Sequence, residues 1–217
     1  MPNPRPSHSP HQNLPLLRAG EKLEHARGAM ILLHGRGASA ESIIMLAEEF
    51  QQTNFAYLAP KAAGGTWYPN RFLAPIASNE PWLASALQVV GEVVAQVQAA
   101  GIPTERIMLL GFSQGACLAL EYAARNAQRY GGVIGLSGGL IGAEDEARND
   151  RGHFEDTPIF LGCSEVDFHI PKARVESAAK ILQALGGVVT TRWYRNMEHT
   201  VNHDEVKFVR SMMAALN

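Results

Sequence analysis

Short apolar segments alternate with longer segments of helical spacing along most of this sequence, and this alternation narrows the possible folds more than any other feature. The apolar segments predict strands over residues 29–33, 55–59, 107–110, 132–136, 158–162 and 189–194. Helical spacing predicts helices over 39–52, 80–100, 113–126 and 171–185, and a final helix capped by Asn202. Strands that are apolar throughout are buried on both faces. The pattern therefore predicts an α/β fold, with a mostly parallel central sheet and helices on both faces.

The amino-terminal residues lie outside this alternation. Residues 1–20 begin with MPNPRPSHSPHQNLP, which is rich in proline and polar residues and predicts a disordered tail. We expect its histidines, His8 and His11, to be solvated rather than to bind a metal. Residues 21–217 contain no internal repeat or linker, and 46% of the whole sequence is hydrophobic. This part of the chain is therefore predicted to form one domain.

Composition argues against several classes of partner. The formal net charge is −2 and the cationic residues are scattered, so we expect no nucleic-acid binding. No apolar run approaches the roughly 18 residues of a membrane-spanning helix, so we expect no stable membrane insertion. The first residues lack the apolar stretch of a secretory signal. We therefore predict a cytoplasmic location, with Cys117 and Cys163 as buried thiols. No feature of the sequence defines an oligomeric state.

A short glycine-flanked motif follows the strand at 107–110. Gly111-Phe112-Ser113-Gln114-Gly115 has the form G-x-S-x-G between a predicted strand and a predicted helix. This is the setting of a nucleophile elbow, in which a very sharp turn raises the serine hydroxyl above the sheet. Side chains two positions before and after the serine would collide with the neighbouring strand and helix, so both are glycine. The motif predicts that Ser113 is a nucleophile.

A serine hydroxyl is a weak nucleophile until a base takes its proton. The elbow therefore predicts an acid and then a histidine, each after a later strand. Glu165 and Asp167 both follow the strand at 158–162, and His199 and His203 follow the last strand. The two histidines are four residues apart, as in a zinc-binding helix, but the H-E-x-x-H glutamate is missing. We expect no metal and no cofactor.

Four stretches carry a resemblance to a known family. They are Leu33-His34-Gly35-Arg36-Gly37, Gly111-Phe112-Ser113-Gln114-Gly115, Asp167-x-x-Ile170-Pro171 and Met197-x-His199. The chain resembles the phospholipase/carboxylesterase group of the α/β-hydrolases, which includes acyl-protein thioesterases and small bacterial carboxylesterases. The resemblance extends from about residue 29 to the last residue. Asn196 stands where many relatives have glycine.

The resemblance implies the α/β-hydrolase fold and assigns the site. It selects Asp167 as the acid and His199 as the base beside Ser113. It also implies that the backbone N–H groups of Arg36 and Gln114 form the oxyanion hole. Such preorganised donors stabilise the charge that develops on the carbonyl oxygen during acyl transfer.

The segment between Pro60 and Pro81 predicts the substrate pocket. It is a long loop without helical or strand period, and such loops are usually functional. Four apolar residues of the loop suit a pocket wall: Trp67, Tyr68, Phe72 and Leu73. The alternative is that these residues only pack the loop onto the domain. No insertion is long enough for a cap domain. An open site of this kind favours small-molecule esters with short to medium acyl or aryl groups.

The function predicted from the sequence is a serine carboxylic-ester hydrolase that works through an acyl-enzyme. An acyl-protein thioesterase or lysophospholipase is the alternative within the same chemistry. A non-catalytic α/β-hydrolase that binds a ligand is the alternative of another class, but all three catalytic positions are intact. A dienelactone-hydrolase-like enzyme normally has cysteine in the elbow, which Ser113 argues against.

Overall fold

A computed structural model describes residues 9–216, and its centre is a seven-stranded sheet with the order β1-β3-β2-β4-β5-β6-β7. The strands are β1 Leu16–Gly20, β2 Gly28–Leu33, β3 Phe55–Pro60, β4 Ile107–Phe112, β5 Gly132–Leu136, β6 Pro158–Ser164 and β7 Val188–Tyr194. Strand β1 pairs antiparallel with β3, and every other neighbouring pair is parallel. The predicted α/β class and mostly parallel sheet are confirmed.

Within residues 9–216, six α-helices connect or flank the strands. They are α1 Ala40–Ile44, α2 Leu46–Phe50, α3 Trp82–Ala99, α4 Gln114–Arg125, α5 Lys172–Ala184 and α6 His203–Ala214. Short 3-10 helices lie at Ala63–Gly65, Ile76–Asn79 and Thr104–Arg106. The helix predicted over 39–52 is divided at Met45, and Ser39 caps its first part. Asn202 caps α6, as the sequence predicts.

Two apolar layers enclose the sheet, because successive side chains of a strand point to opposite faces. On one face, Ile31 and Leu33 pack with residues of α3, α4 and α5. On the other face, Met30 and Leu32 pack with residues of α1, α2 and α6. This division explains why the central strands are apolar throughout.

The predicted disordered tail differs from the structure where the structure describes it. Residues 1–8, including His8, lie outside the described residues. Leu16–Gly20 form β1, which supplies hydrogen-bond partners to the outer edge of β3. His11 is 1% exposed rather than solvated, and its Nε2 donates to the Trp67 carbonyl at 2.8 Å. The amino-acid composition of this segment does not predict its ordered structure, because one edge strand and a few specific hydrogen bonds hold the segment in place.

The parallel strands direct their carboxyl ends to one edge of the sheet. The loop after β2 contains Arg36, and β4 runs into Ser113. The loops after β6 and β7 contain Asp167 and His199. Loops at the carboxyl ends of an open parallel sheet are where such folds place their sites. Within residues 9–216, no helix is long and apolar enough to cross a membrane.

Candidate active site

Ser113 occupies a strained turn between β4 and α4. Its φ of 54° and ψ of −118° lie in a region that L residues rarely adopt. A Cβ at Gly111 would lie 2.1 Å from the Gly115 carbonyl oxygen, and a Cβ at Gly115 would lie 2.1 Å from the Leu33 carbonyl oxygen. The turn therefore requires glycine at both positions, for the steric reason that the motif suggests.

Ser113, His199 and Asp167 form one hydrogen-bonded chain. The Ser113 hydroxyl lies 2.8 Å from His199 Nε2, and His199 Nδ1 lies 2.7 Å from Asp167 Oδ2. In the neutral imidazole, Nδ1–H donates to the carboxylate and Nε2 accepts from the hydroxyl. The structure thus brings together the three residues that the sequence selects from three separate loops. This geometry suits a nucleophile, its base and an orienting acid.

Asp167 is held in its ionised form. Burial opposes ionisation, but hydrogen bonds from His199 and from the amides of His169 and Ile170 outweigh it, and the pKa of Asp167 falls below its usual value. Its side chain is fully buried, so the charge is screened little by solvent. A carboxylate in this state can stabilise an imidazolium at His199.

The imidazole of His199 lies between two other rings. Its centroid is 5.0 Å from that of Phe112 and 4.9 Å from that of His169. The two residues that the sequence left as alternatives lie elsewhere. His203 is exposed at the start of α6, and Glu165 lies 3.5 Å from Arg195 in a surface ion pair.

The predicted oxyanion-hole residues lie beside Ser113. Gln114 is the first residue of α4, so its N–H has no acceptor within the helix and lies at the positive end of the helix dipole. A Cβ at Gly35 would lie 3.4 Å from the Ser113 Cβ, so the loop after β2 runs directly over the elbow. Arg36 follows Gly35 in this loop, and both Arg36 and Gln114 lie along one cavity with Ser113.

The side chains of these two residues hold the loop at 61–81. The Arg36 guanidinium donates to the carbonyl oxygens of Tyr68, Pro69 and Asn70. The Gln114 side chain accepts from the Trp67 N–H at 2.9 Å and donates to the Tyr68 carbonyl at 2.7 Å. The Arg36 side chain therefore braces this loop.

Trp67 lies in the core instead of on the pocket wall. It is fully buried, its indole N–H donates to the His34 carbonyl, and its own carbonyl accepts from His11. Leu73 is half-buried against the same core. A tryptophan buries a large apolar surface and needs a partner for its N–H, and both needs are met inside the domain.

His34 has a structural role at the start of the loop after β2. Its Nδ1–H donates to the Gly35 carbonyl, and its Nε2 accepts from the Ala62 N–H. Burial lowers the pKa of His34, which favours this neutral form.

A cavity of about 250 Å³ opens beside Ser113 and His199. Of the four predicted wall residues, Tyr68 and Phe72 line it, and Trp67 and Leu73 do not. Four other residues that line the cavity were not predicted as pocket wall: Arg71, Cys117, His169 and Ile170. His169 and Ile170 follow the predicted acid in the same loop, so their position was a usable signal. Within residues 9–216, no group of His, Cys, Asp and Glu is placed to hold a metal ion.

A parallel sheet that carries a serine elbow, with an acid and a histidine after later strands, defines an α/β-hydrolase. The family model for phospholipases and carboxylesterases matches residues 18–217, so the chain belongs to the phospholipase/carboxylesterase family.

Relatives and solved structures agree with this family. The acyl-protein thioesterase 1 of Saccharomyces cerevisiae is 29% identical over 222 aligned positions, which cover 91% of this chain and 96% of that protein. The structure of a phospholipase/carboxylesterase from Dyadobacter fermentans has a TM-score of 0.89 and 42% identity, and the match covers 93% of this chain and 96% of that one. The Bacillus cereus carboxylesterase shares the fold, with a TM-score of 0.72 at 16% identity and coverage of 95% and 96%.

Proposed function

We propose that this protein is a serine carboxylic-ester hydrolase in which Ser113 is the nucleophile, His199 the base and Asp167 the orienting acid. One observation carries the proposal: the unbroken chain from the Ser113 hydroxyl through His199 to Asp167, at 2.8 Å and 2.7 Å. Family membership supports the class of reaction.

The acylation step uses the hydrogen bonds between Ser113, His199 and Asp167. Ser113 Oγ attacks the carbonyl carbon of the ester, and its proton passes to His199 Nε2. Asp167 stabilises the imidazolium that forms. When the tetrahedral intermediate collapses, the bond from carbon to the alcohol oxygen breaks and His199 gives its proton to that oxygen. The alcohol leaves, and the acyl group remains as an ester of Ser113.

Deacylation repeats these steps with water as the nucleophile. A water molecule attacks the acyl carbonyl carbon while His199 takes one of its protons. Collapse of the second intermediate breaks the bond to Ser113 Oγ, which recovers its proton from His199, and the carboxylic acid is released. In both intermediates the Arg36 and Gln114 N–H groups donate to the oxyanion, a contribution of a few kcal/mol per donor.

The volume and the lining of the cavity favour short to medium acyl or aryl esters as substrates. Its volume is about 250 Å³. Each buried methylene contributes about 0.8 kcal/mol only while apolar wall is available to cover it. Phe72 and Ile170 supply a short length of such wall. The gain from chain length should therefore stop after a few methylenes.

Thioester hydrolysis is the second candidate, because several relatives are named acyl-protein thioesterase 1. The same acylation step would release a thiol in place of the alcohol. A panel of matched oxygen and thiol esters of increasing acyl length separates the two. Rates that climb steadily to palmitoyl thioesters would favour the second candidate.

The test of the proposal is hydrolysis of a chromogenic butyrate ester by the wild type and by Ser113→Ala. We expect the variant to lose several orders of magnitude in kcat, because members of a triad act as a unit. Glu165→Gln serves as the control, since its surface pair with Arg195 lies outside the triad. Near-normal turnover by a folded Ser113→Ala enzyme would refute the proposal.

A further inference from the structure

The cavity beside Ser113 has an unbalanced charge. Arg36, Arg71 and His169 line it together with His199, and none of the acidic side chains of residues 9–216 does so. The chain as a whole has a formal net charge of −2, so this surplus of basic groups is local. Asp167 lies behind His199, and its oxygens are engaged by the imidazole and by two backbone amides. The cavity therefore attracts negative charge.

Arg71 differs from most arginines of residues 9–216 in having no partner for its guanidinium within that part of the chain. Arg125 and Arg148 pair with Glu121, and Arg192 pairs with Asp204. Among the hydrogen bonds and ion pairs of residues 9–216, none involves the Arg71 side chain. An exposed guanidinium at the edge of a cavity can bind a carboxylate through two parallel hydrogen bonds.

The backbone that carries Arg71 is held in place. Asn79 is fully buried, and its side chain accepts from the Asn70 N–H at 2.8 Å and donates to the Arg71 carbonyl at 3.4 Å. Arg36 donates to the Asn70 carbonyl from the other side, at 2.6 Å. Because the main chain is fixed, little ordering of the loop is needed when a ligand binds.

We propose that this cavity selects esters that carry a carboxylate, which Arg71 binds at the cavity edge. The inference rests on the proposed ester hydrolysis at Ser113 and adds the class of ester. Arg71 is a specificity residue in this account, since the reaction itself uses the triad and the oxyanion hole.

The carboxylate can belong to either half of the ester, and two pairs of substrates distinguish the halves. The first pair is the 4-nitrophenyl half-ester of adipic acid and 4-nitrophenyl hexanoate, which differ by a charge on the acyl half. The second pair is 4-carboxyphenyl acetate and its methyl ester, which differ by a charge on the alcohol half. For each pair, the measured quantity is the ratio of kcat/KM for the charged ester to kcat/KM for the neutral ester.

The ratio is then compared between variants, so the intrinsic reactivity of each ester cancels. We expect Arg71→Gln to lower the ratio about tenfold in one of the two pairs, mainly through KM. Arg71→Lys should recover part of the ratio in the same pair. Added salt should reduce the wild-type ratio in that pair. Arg27→Gln is the control, because Arg27 is also exposed but precedes β2 at the opposite edge of the sheet.

The outcomes separate this inference from the proposed function. The enzyme could hydrolyse all four esters while Arg71→Gln leaves both ratios unchanged. That result would overturn the carboxylate preference but would leave the proposed serine esterase function in place. An enzyme that hydrolyses none of the four, and whose Ser113 resists a fluorophosphonate, would overturn the proposed function. A ratio that falls equally in Arg27→Gln would reduce the effect to net charge and would also overturn the inference.

Discussion

Ser113 sits in a backbone conformation that its two flanking glycines make possible. Each glycine faces backbone atoms, which cannot move aside as a flexible side chain can. The sequence motif was informative for this reason: it records a steric requirement that the structure displays at Gly111 and Gly115. The chemistry of Ser113 depends on these two residues as much as on the base.

Gly115→Ala should therefore distort the elbow, and Gly91→Ala provides a matched comparison. The new methyl group at 115 would overlap the carbonyl oxygens of Leu33 and His34, and we expect a loss of about 3 kcal/mol in the free energy of unfolding. In the middle of α3, a methyl group at 91 would make an ordinary contact of 3.5 Å with Tyr122. That variant should gain about 0.5–1 kcal/mol. Urea unfolding of both variants measures the difference, and equal stabilities would contradict the steric account.

At the scale of the element, α6 begins directly after the loop that carries His199. Its capping box joins Asn202 and Glu205: the Asn202 side chain accepts from the Glu205 N–H, and Glu205 Oε2 accepts from the Asn202 N–H. Glu205 is fully buried, and its other oxygen lies against Gly162 without a hydrogen-bond partner. Burial raises the pKa of Glu205 to about 7.

This shift predicts a dependence of stability on pH. The folded protein keeps the Glu205 proton to higher pH than the unfolded chain, whose value is about 4.5. The contribution of Glu205 to stability is therefore full below pH 4.5 and is lost as pH rises through about 7. Glu205→Gln keeps the capping oxygen and cannot ionise. Relative to the wild type, it should be more stable at pH 8 than at pH 5 by on the order of 2 kcal/mol.

Chemical unfolding at both pH values checks this prediction. Glu176→Gln, on the exposed face of α5, removes the same charge without burial and serves as the control. The difference in the free energy of unfolding between Glu205→Gln and the wild type could be the same at pH 5 and pH 8. That result would show that the buried carboxyl does not titrate in this range.

The accuracy of the sequence predictions also differs between elements. Strands buried on both faces, such as β2 and β4, were predicted within a few residues, because continuous apolar runs are rare outside such sheets. Strand β1 was missed, since its sequence, LLRAG, is short and half-exposed and its order comes from pairing with β3. The break at Met45 has no glycine or proline to mark it.

The predictions for the site divide in a similar way. Ser113, Asp167 and His199 were selected because elbow, chain order and family motifs all constrain them. The pocket wall was predicted from the apolar residues of one long loop, and that criterion cannot separate Tyr68, which lines the cavity, from Trp67, which lies in the core. The hydrogen bonds of Trp67 with His34, His11 and Gln114 decide its position, and no local pattern records them.

Across the whole molecule, parallel topology converts distant positions in the sequence into one site. Residues 36, 113, 167 and 199 each follow a different strand, and all four lie at the carboxyl edge of the sheet. The amino-terminal segment supports the same region, because His11 joins Trp67 to the backbone of Ala63. His11 is therefore part of the structure that holds the loop at 61–81 in place.

Reaction with a fluorophosphonate, read by peptide mass, tests the central claim most directly. Such a reagent reacts with a serine only when a base and an oxyanion hole activate it. Cleavage after Arg106 and Arg125 releases a peptide whose only serine is Ser113. We predict one added phosphonyl group on that peptide and a large loss of labelling in His199→Ala, while His203→Ala labels like the wild type. Labelling at another serine, or undiminished labelling of His199→Ala, would contradict the assignment of Ser113, His199 and Asp167.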